Sequence, residues 1–367
     1  MGTEFCSGES SFKAREGAVL PRFSPRRLFW RSPGGHEGNA GRPVTNHQRA
    51  QAARGEALGK VKVLAIIGRG RSGSTILDNT LGEIDNFFSV GELHNLWKRG
   101  LARGHACGCG KPTASCPFWS EVLHLAQERL GRPLPKPQEV VDWQARFVRP
   151  SSTRKLLQES SEGVGRPLRD YVELLDSIYS AIGDVSDSQV IVDSSKRPAH
   201  GALLHLLTEV SPYFIQLVRD PRAVAYSRTR KKSDHIGERE MRRDGSLRSA
   251  LRWRERNREA ELVRRHHPSE ASRLIRYEDF VSHPEAVVED IVNLVGERLT
   301  GSIVSEAKEV TLRGNHTAAG NPSRFMKGNI RLRADDEWVT EQKPRHRHVV
   351  TGLTLPILRR YGYETRV

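Results

Sequence analysis

The chain has 367 residues, enough for one large α/β domain or two smaller ones with ample sequence to bury a core. Its 59 Lys plus Arg against 44 Asp plus Glu leave a formal net charge of +15, so phosphorylated cofactors, nucleic acid and acidic membranes are all candidate partners, beside a merely solvated basic surface. No apolar run approaches the roughly 20 residues of a membrane span and the first thirty residues lack the apolar core of a secretory signal, which predicts a cytoplasmic protein that does not span a membrane; four cysteines are too few for a disulfide scaffold.

Residues 1–60 are rich in Gly, Arg, Ser and Pro, show neither helical nor strand periodicity, and are expected to form a disordered basic extension. At Val61 the texture changes to the apolar, β-branched run Val61–Ile67, as expected for a strand buried on both faces. It leads into Gly68-Arg69-Gly70-Arg71-Ser72-Gly73-Ser74-Thr75 and then the helix-like Ile76–Leu81. Glycines let the backbone curl so that successive N–H groups point inward, and a helix N-terminus adds partial positive charge, which together make an anion cradle. The two glycines and the final hydroxyl match the triphosphate-binding pattern G-x-x-x-x-G-K-[ST], but Ser74 stands where the lysine belongs. That lysine contacts the β- and γ-phosphates, so its absence points to a smaller 5′-anion. Further strands are expected at Gln189–Val192, Tyr213–Val218 and Arg273–Tyr277, a helix over Tyr171–Ile182, and a capping box at Ser282–Glu285 opening a helix through Ile291 and Leu294. Strands alternating with helices predict an α/β, P-loop-like three-layer fold with a central parallel sheet flanked by helices.

Arg71-Ser72-Gly73-Ser74-Thr75 resembles the 5′-phosphosulfate loop of sulfotransferases, in particular the bacterial, carbohydrate and tyrosine-protein branches. Leu217-Val218-Arg219-Asp220-Pro221 through Ser227 resembles the 3′-phosphate motif of the same family, and its place after the phosphate loop makes the combination specific. The resemblance covers Val61 to about Tyr361, so residues 61–367 are read as a sulfotransferase domain. It implies 3′-phosphoadenosine 5′-phosphosulfate (PAPS) as donor, no required metal, and an acceptor hydroxyl or amine. Donor contacts are expected from Arg71, Ser72, Gly73, Ser74, Thr75 and Ile76, and from Arg219, whose forked guanidinium suits a phosphate, with Ser227 two helical turns later. Gly320–Phe325 resembles a loop that closes over the nucleotide in bacterial relatives, which assigns Arg324 to the donor. Lys196 lies where related enzymes carry a donor-contacting residue and suits the bridging oxygen, with Arg71 as the competing choice. Glu92 in Ser89-Val90-Gly91-Glu92 resembles the acceptor-deprotonating glutamate of the tyrosine-protein branch; His94 is the second candidate base, since imidazole titrates near working pH. Asp193 is read as orienting Lys196 or capping the next helix.

Cys107, Cys109 and Cys116 form a stretch like one in bacterial members of this family. With His94 or His105 they complete a tetrahedral zinc set, but the spacing departs from paired C-x-x-C; a disulfide and packing thiols are the alternatives, and no metal is assigned. The acceptor pocket is expected chiefly from an insertion at about 100–185, and a glycan, glycolipid, peptide or small metabolite each fits the chemistry. Two other classes compete. A P-loop kinase or triphosphatase would read Val190–Asp193 as a strand ending in a magnesium-holding aspartate. A nucleic-acid binder would use Arg228–Lys232 and Arg252-Trp253-Arg254, but no recognisable nucleic-acid module accompanies these, and no specific nucleic acid is expected as a partner.

Overall fold

A computed structural model describes residues 60–229 and 244–366. The extension expected at 1–60, up to residue 59, and Arg230–Lys232 of the basic stretch lie outside the described residues.

In chain order the longer elements are β1 (Val61–Gly68), α1 (Ser74–Leu81), β2 (Phe87–Gly91), α2 (Pro117–Leu130), α3 (Pro137–Phe147), α4 (Leu168–Ser186), β3 (Val190–Lys196), β4 (Val210–Val218), α5 (Pro221–Thr229), α6 (Ser246–His266), β5 (Ser272–Arg276), α7 (Tyr277–Ser282), α8 (Pro284–Leu294), β6 (Glu309–Leu312), β7 (Gly328–Arg331) and α9 (Pro344–Arg360). Five strands form one parallel sheet in the order β2-β3-β1-β4-β5, and β6 and β7 make a separate antiparallel ribbon. The three central strands carry the continuous apolar runs, because only a strand covered on both faces hides both sets of side chains.

Alternation along β1 assigns the layers. Val63, Ala65 and Ile67 join a core with Trp119 and Val122 of α2 and Leu175, Ile178 and Tyr179 of α4. Leu64 and Ile66 point the other way, into a core with Leu77 and Leu81 of α1 and Val288 and Ile291 of α8. The result is helix, parallel sheet, helix, as expected from the sequence. Part of the 100–185 insertion is therefore a structural layer, since α4 lies directly on the sheet.

Two local expectations change. Strand β2 was not foreseen; its Phe87-Phe88-Ser89 start carries too short a pattern to stand out. The helix expected after a Ser282 cap begins instead at Pro284, with His283 at the N-cap and no side-chain capping bond, because Ser282 closes the preceding helix α7. Proline at the first helical position needs no donor there. The carboxyl ends of β1, β3 and β4 share one edge of the sheet, where open parallel sheets bind their ligands.

Candidate active site

The loop after β1 turns into α1 through Gly73, whose φ of +80° lies in the left-handed region. A Cβ there would stand 2.3 Å from Cδ2 of Tyr277, so both conformation and space demand glycine. Gly73 O accepts from the N–H groups of Ile76 and Leu77 at 3.1 and 3.2 Å, starting the helix and leaving its opening N–H groups to face the cavity beyond β1. Arg71 is a non-glycine residue at φ +78°, a strained conformation that helps aim its side chain across to α5, where Nε donates to Ser227 Oγ at 3.0 Å. Arg219, just past β4, donates to Arg71 O at 3.3 Å and to Asp335 O at 2.8 Å, and its guanidinium lies 4.5 Å from the ring centre of Tyr277. Trp253 Nε1 holds the Arg219 carbonyl at 3.0 Å. Tertiary packing thus unites the two halves expected to grip opposite ends of one donor.

Lys196 ends β3 at φ +63°, a second strained non-glycine residue. Its Nζ meets Glu92 Oε1 at 2.6 Å, while Glu92 Oε2 accepts from Asn95 Nδ2. Burial pushes the Glu92 carboxyl up, but Lys196, Arg99 and Asn95 together outweigh it and hold the group below the ordinary glutamate range. Glu92 is therefore an anion at neutral pH. Asp193 accepts from the Ser195 N–H and hydroxyl at 2.7 and 2.5 Å, shaping the turn before Lys196, and from Tyr179 OH at 2.6 Å. It is 1% exposed and does not line the cavity, which leaves the kinase reading without its magnesium-holding aspartate. It caps the turn rather than bonding Lys196.

These residues line a cavity of about 420 Å³, within the range of small-ligand sites. Arg71, Gly73, Ser74, Thr75, Ile76, Glu92, Lys196, Arg219 and Ser227 all reach it. Arg69 of the loop and Arg228 of the basic stretch, named in the sequence but not assigned to the donor, join Arg99, Arg197 and Arg256, which sequence reasoning missed, to complete a wall of eight basic side chains against two carboxylates, Glu92 and Asp335. Arg69 and Arg197 adjoin recognised motifs and were findable; Arg256 and Asp335 carry no local signal. Ser72 is buried and does not line the cavity.

Two further expected site residues also lie outside the cavity. His94 is buried outside the cavity, edge-on to His200 at 5.6 Å; burial first, then Arg197, His200 and Lys98, push its pKa well down, so it is neutral and shielded from an acceptor. Arg324 also lies outside this cavity: its guanidinium donates to Thr317 O at 2.8 Å and Ala106 O at 2.7 Å, tying two chain segments together. The aromatic centre of Arg252-Trp253-Arg254 is fully buried and Arg252 pairs with Asp244, so this stretch presents no exposed aromatic to a nucleic acid. Cys107, Cys109 and Cys116 are unlinked thiols, and the imidazole beside them belongs to His316, neither to His94 nor to His105.

The chain is similar to solved structures of a sulfotransferase domain from the curacin biosynthetic pathway (17% identity, 84% of this chain and 99% of that one, TM-score 0.48) and of one from the Synechococcus olefin synthase (19%, 82% and 95%, 0.47). A sulfotransferase from Mycobacterium avium is similar at 13% identity, with 87% and 81% covered and a TM-score of 0.42. No curated relative matches the chain. The model of the sulfotransferase family matches residues 64–301, a span that begins in β1 and takes in the phosphate loop, the Glu92–Lys196 pair and the Arg219–Ser227 segment. On that match the chain belongs to the sulfotransferase family.

Proposed function

We propose that this enzyme takes its sulfuryl group from 3′-phosphoadenosine 5′-phosphosulfate and transfers it to an acceptor hydroxyl or amine. The observation that carries the reading is the meeting, in one cationic cavity, of the 71–76 loop with Arg219 and Ser227. The loop N–H groups and Arg71 receive the 5′-phosphosulfate, and Arg219 with Ser227 receives the 3′-phosphate.

In the transfer, the acceptor oxygen or nitrogen forms a bond to sulfur as the bond from sulfur to the bridging oxygen breaks. Negative charge develops on the leaving phosphate, where Lys196 and the surrounding arginines stabilise it without a magnesium ion. The acceptor proton passes to Glu92, already ionised and at the cavity wall. Lys196 has two partners in this scheme: Glu92 before donor binding and the bridging oxygen after it. A glycan, glycolipid, peptide or small metabolite serves as acceptor; residues 100–185, expected to build its pocket, supply no lining residue to the cavity described above. No helix among the described residues is long and apolar enough to cross a membrane. A cytoplasmic location accompanies the reading.

The test is calorimetric titration with 3′-phosphoadenosine 5′-phosphate in the absence of magnesium. Native protein is expected to bind, Arg219→Ala to bind at least about tenfold more weakly through loss of a charged hydrogen-bond donor, and Ser74→Ala to weaken binding more mildly. Native, folded protein that ignores this ligand but binds a magnesium triphosphate overturns the donor assignment.

A further inference from the structure

We propose that Cys107, Cys109, Cys116 and His316 bind a structural zinc ion. Their ligand atoms lie within 4.8 Å of one another. A tetrahedral zinc with bonds of about 2.3 Å to sulfur and about 2.0 Å to nitrogen sets sulfur–sulfur edges near 3.8 Å and sulfur–nitrogen edges near 3.5 Å. The structure has Cys109 Sγ at 3.7 Å from Cys116 Sγ, and His316 Nδ1 at 3.2 Å from Cys116 Sγ and 3.7 Å from Cys107 Sγ. These edges leave room for an ion at the centre, whereas a disulfide would draw two sulfurs to about 2.05 Å.

The surrounding backbone is built to hold this set. Gly110 N–H donates to Cys107 O at 2.8 Å, closing a turn that carries Cys107 and Cys109 to one place. Gly108 N–H donates to Thr317 O at 3.0 Å, and a Cβ on residue 108 would fall 1.8 Å from Asn315 Oδ1, so glycine lets this turn lie flush against the segment bearing His316. Trp119 Nε1 fixes His316 O at 2.9 Å, and the Phe118 ring stacks on the imidazole at 5.0 Å. Arg324 clasps Ala106 O and Thr317 O, one neighbour of each ligand-bearing segment.

Four protein ligands close the coordination shell, which makes the ion structural rather than catalytic. Its position has a consequence for the site. From His316 the chain runs directly to Ala318 and Ala319, whose backbone bonds Val90 O and the Glu92 N–H at 2.8 Å each. Zinc therefore pins the loop 107–116 to the strand that flanks Glu92, bracing one wall of the cavity from behind. The zinc assignment stands on the four ligands alone and is independent of the donor and of the role given to Glu92.

The whole chain, purified under reducing conditions without chelator, is analysed for metal content and then, as the stripped protein, titrated with cobalt(II). About one zinc per chain and the visible bands of a tetrahedral cobalt thiolate are expected. Cys116→Ser and His316→Ala should weaken metal binding at least about tenfold, His316→Cys should retain it, and His105→Ala should leave it unchanged. Stripping zinc should lower the Tm, because a closed site links metal binding to folding. Native reduced protein that carries no zinc and gives no cobalt bands overturns the proposal without reference to any variant. So does a Cys109–Cys116 disulfide whose reduction confers no metal uptake, or undiminished metal binding by folded His316→Ala.

Discussion

Replacing Lys196 with methionine keeps much of the side chain's reach and removes its charge, so the buried Glu92 carboxylate loses the partner at 2.6 Å. In the native protein the Glu92 pKa is depressed, so the group contributes stability above its unfolded value of 4.5, and that stability is lost as the pH falls through the folded value. In Lys196→Met the two largest contributions opposing burial are gone, so the folded pKa rises and the stability the group supplies above 4.5 shrinks.

Breaking a buried pair costs about 3–5 kcal/mol. Here the two side chains are 15% and 14% exposed and Arg99 and Asn95 remain, so the lower end applies: about 3 kcal/mol at pH 8, or roughly 6 °C in Tm for a chain of this size. Thermal melts of native protein, Lys196→Met, Glu92→Gln and the double variant across pH 4–9 measure this. The double variant should recover most of the loss, since neither charge is then buried alone. A Lys196→Met protein with native Tm at pH 8 and a native pH slope would refute the reasoning.

Asp78, buried in α1, has its pKa pushed up to about 7, chiefly by burial. Its native form holds a proton that the unfolded chain gives up, so its contribution is present below the unfolded value of 3.8 and is lost as pH rises through about 7. Asp78→Asn should therefore gain about 2–3 kcal/mol on the native protein between pH 5 and pH 8, read from paired denaturation curves; an equal difference at both pH values contradicts the assignment. The Asp335 carboxylate lies 3.3 Å from the Arg219 guanidinium, where, in the proposed donor site, it would compete with an incoming 3′-phosphate. Asp335→Asn should tighten binding of 3′-phosphoadenosine 5′-phosphate, by up to about fivefold because the carboxylate is partly exposed, and calorimetry that finds weaker binding would remove Asp335 from the donor site.

Some of this was written locally in the chain. The β1 run, the glycines after it and the entry to α1 are adjacent in sequence, and backbone sterics alone convert them into strand, turn and anion cradle. Arg219, Pro221 and Ser227 fall within one strand end and the helix that follows, so their spacing was also legible. Glu92 and Lys196 could be nominated from their neighbourhoods, but not as an ion pair, for they are 104 residues apart. Likewise His94 and Arg324 had suitable chemistry and neighbouring motifs, yet packing turned both away from the cavity. The cysteine cluster shows the limit most sharply. Three thiols lie within ten residues, while the imidazole beside them arrives from 200 residues beyond Cys116, delivered when 315–319 crosses the end of β2. Local dihedral preference and hydrophobic period are properties of neighbouring residues and survive in a linear reading. Which distant side chains share a cavity depends on how the layers close around the sheet, and only the tertiary structure decides that.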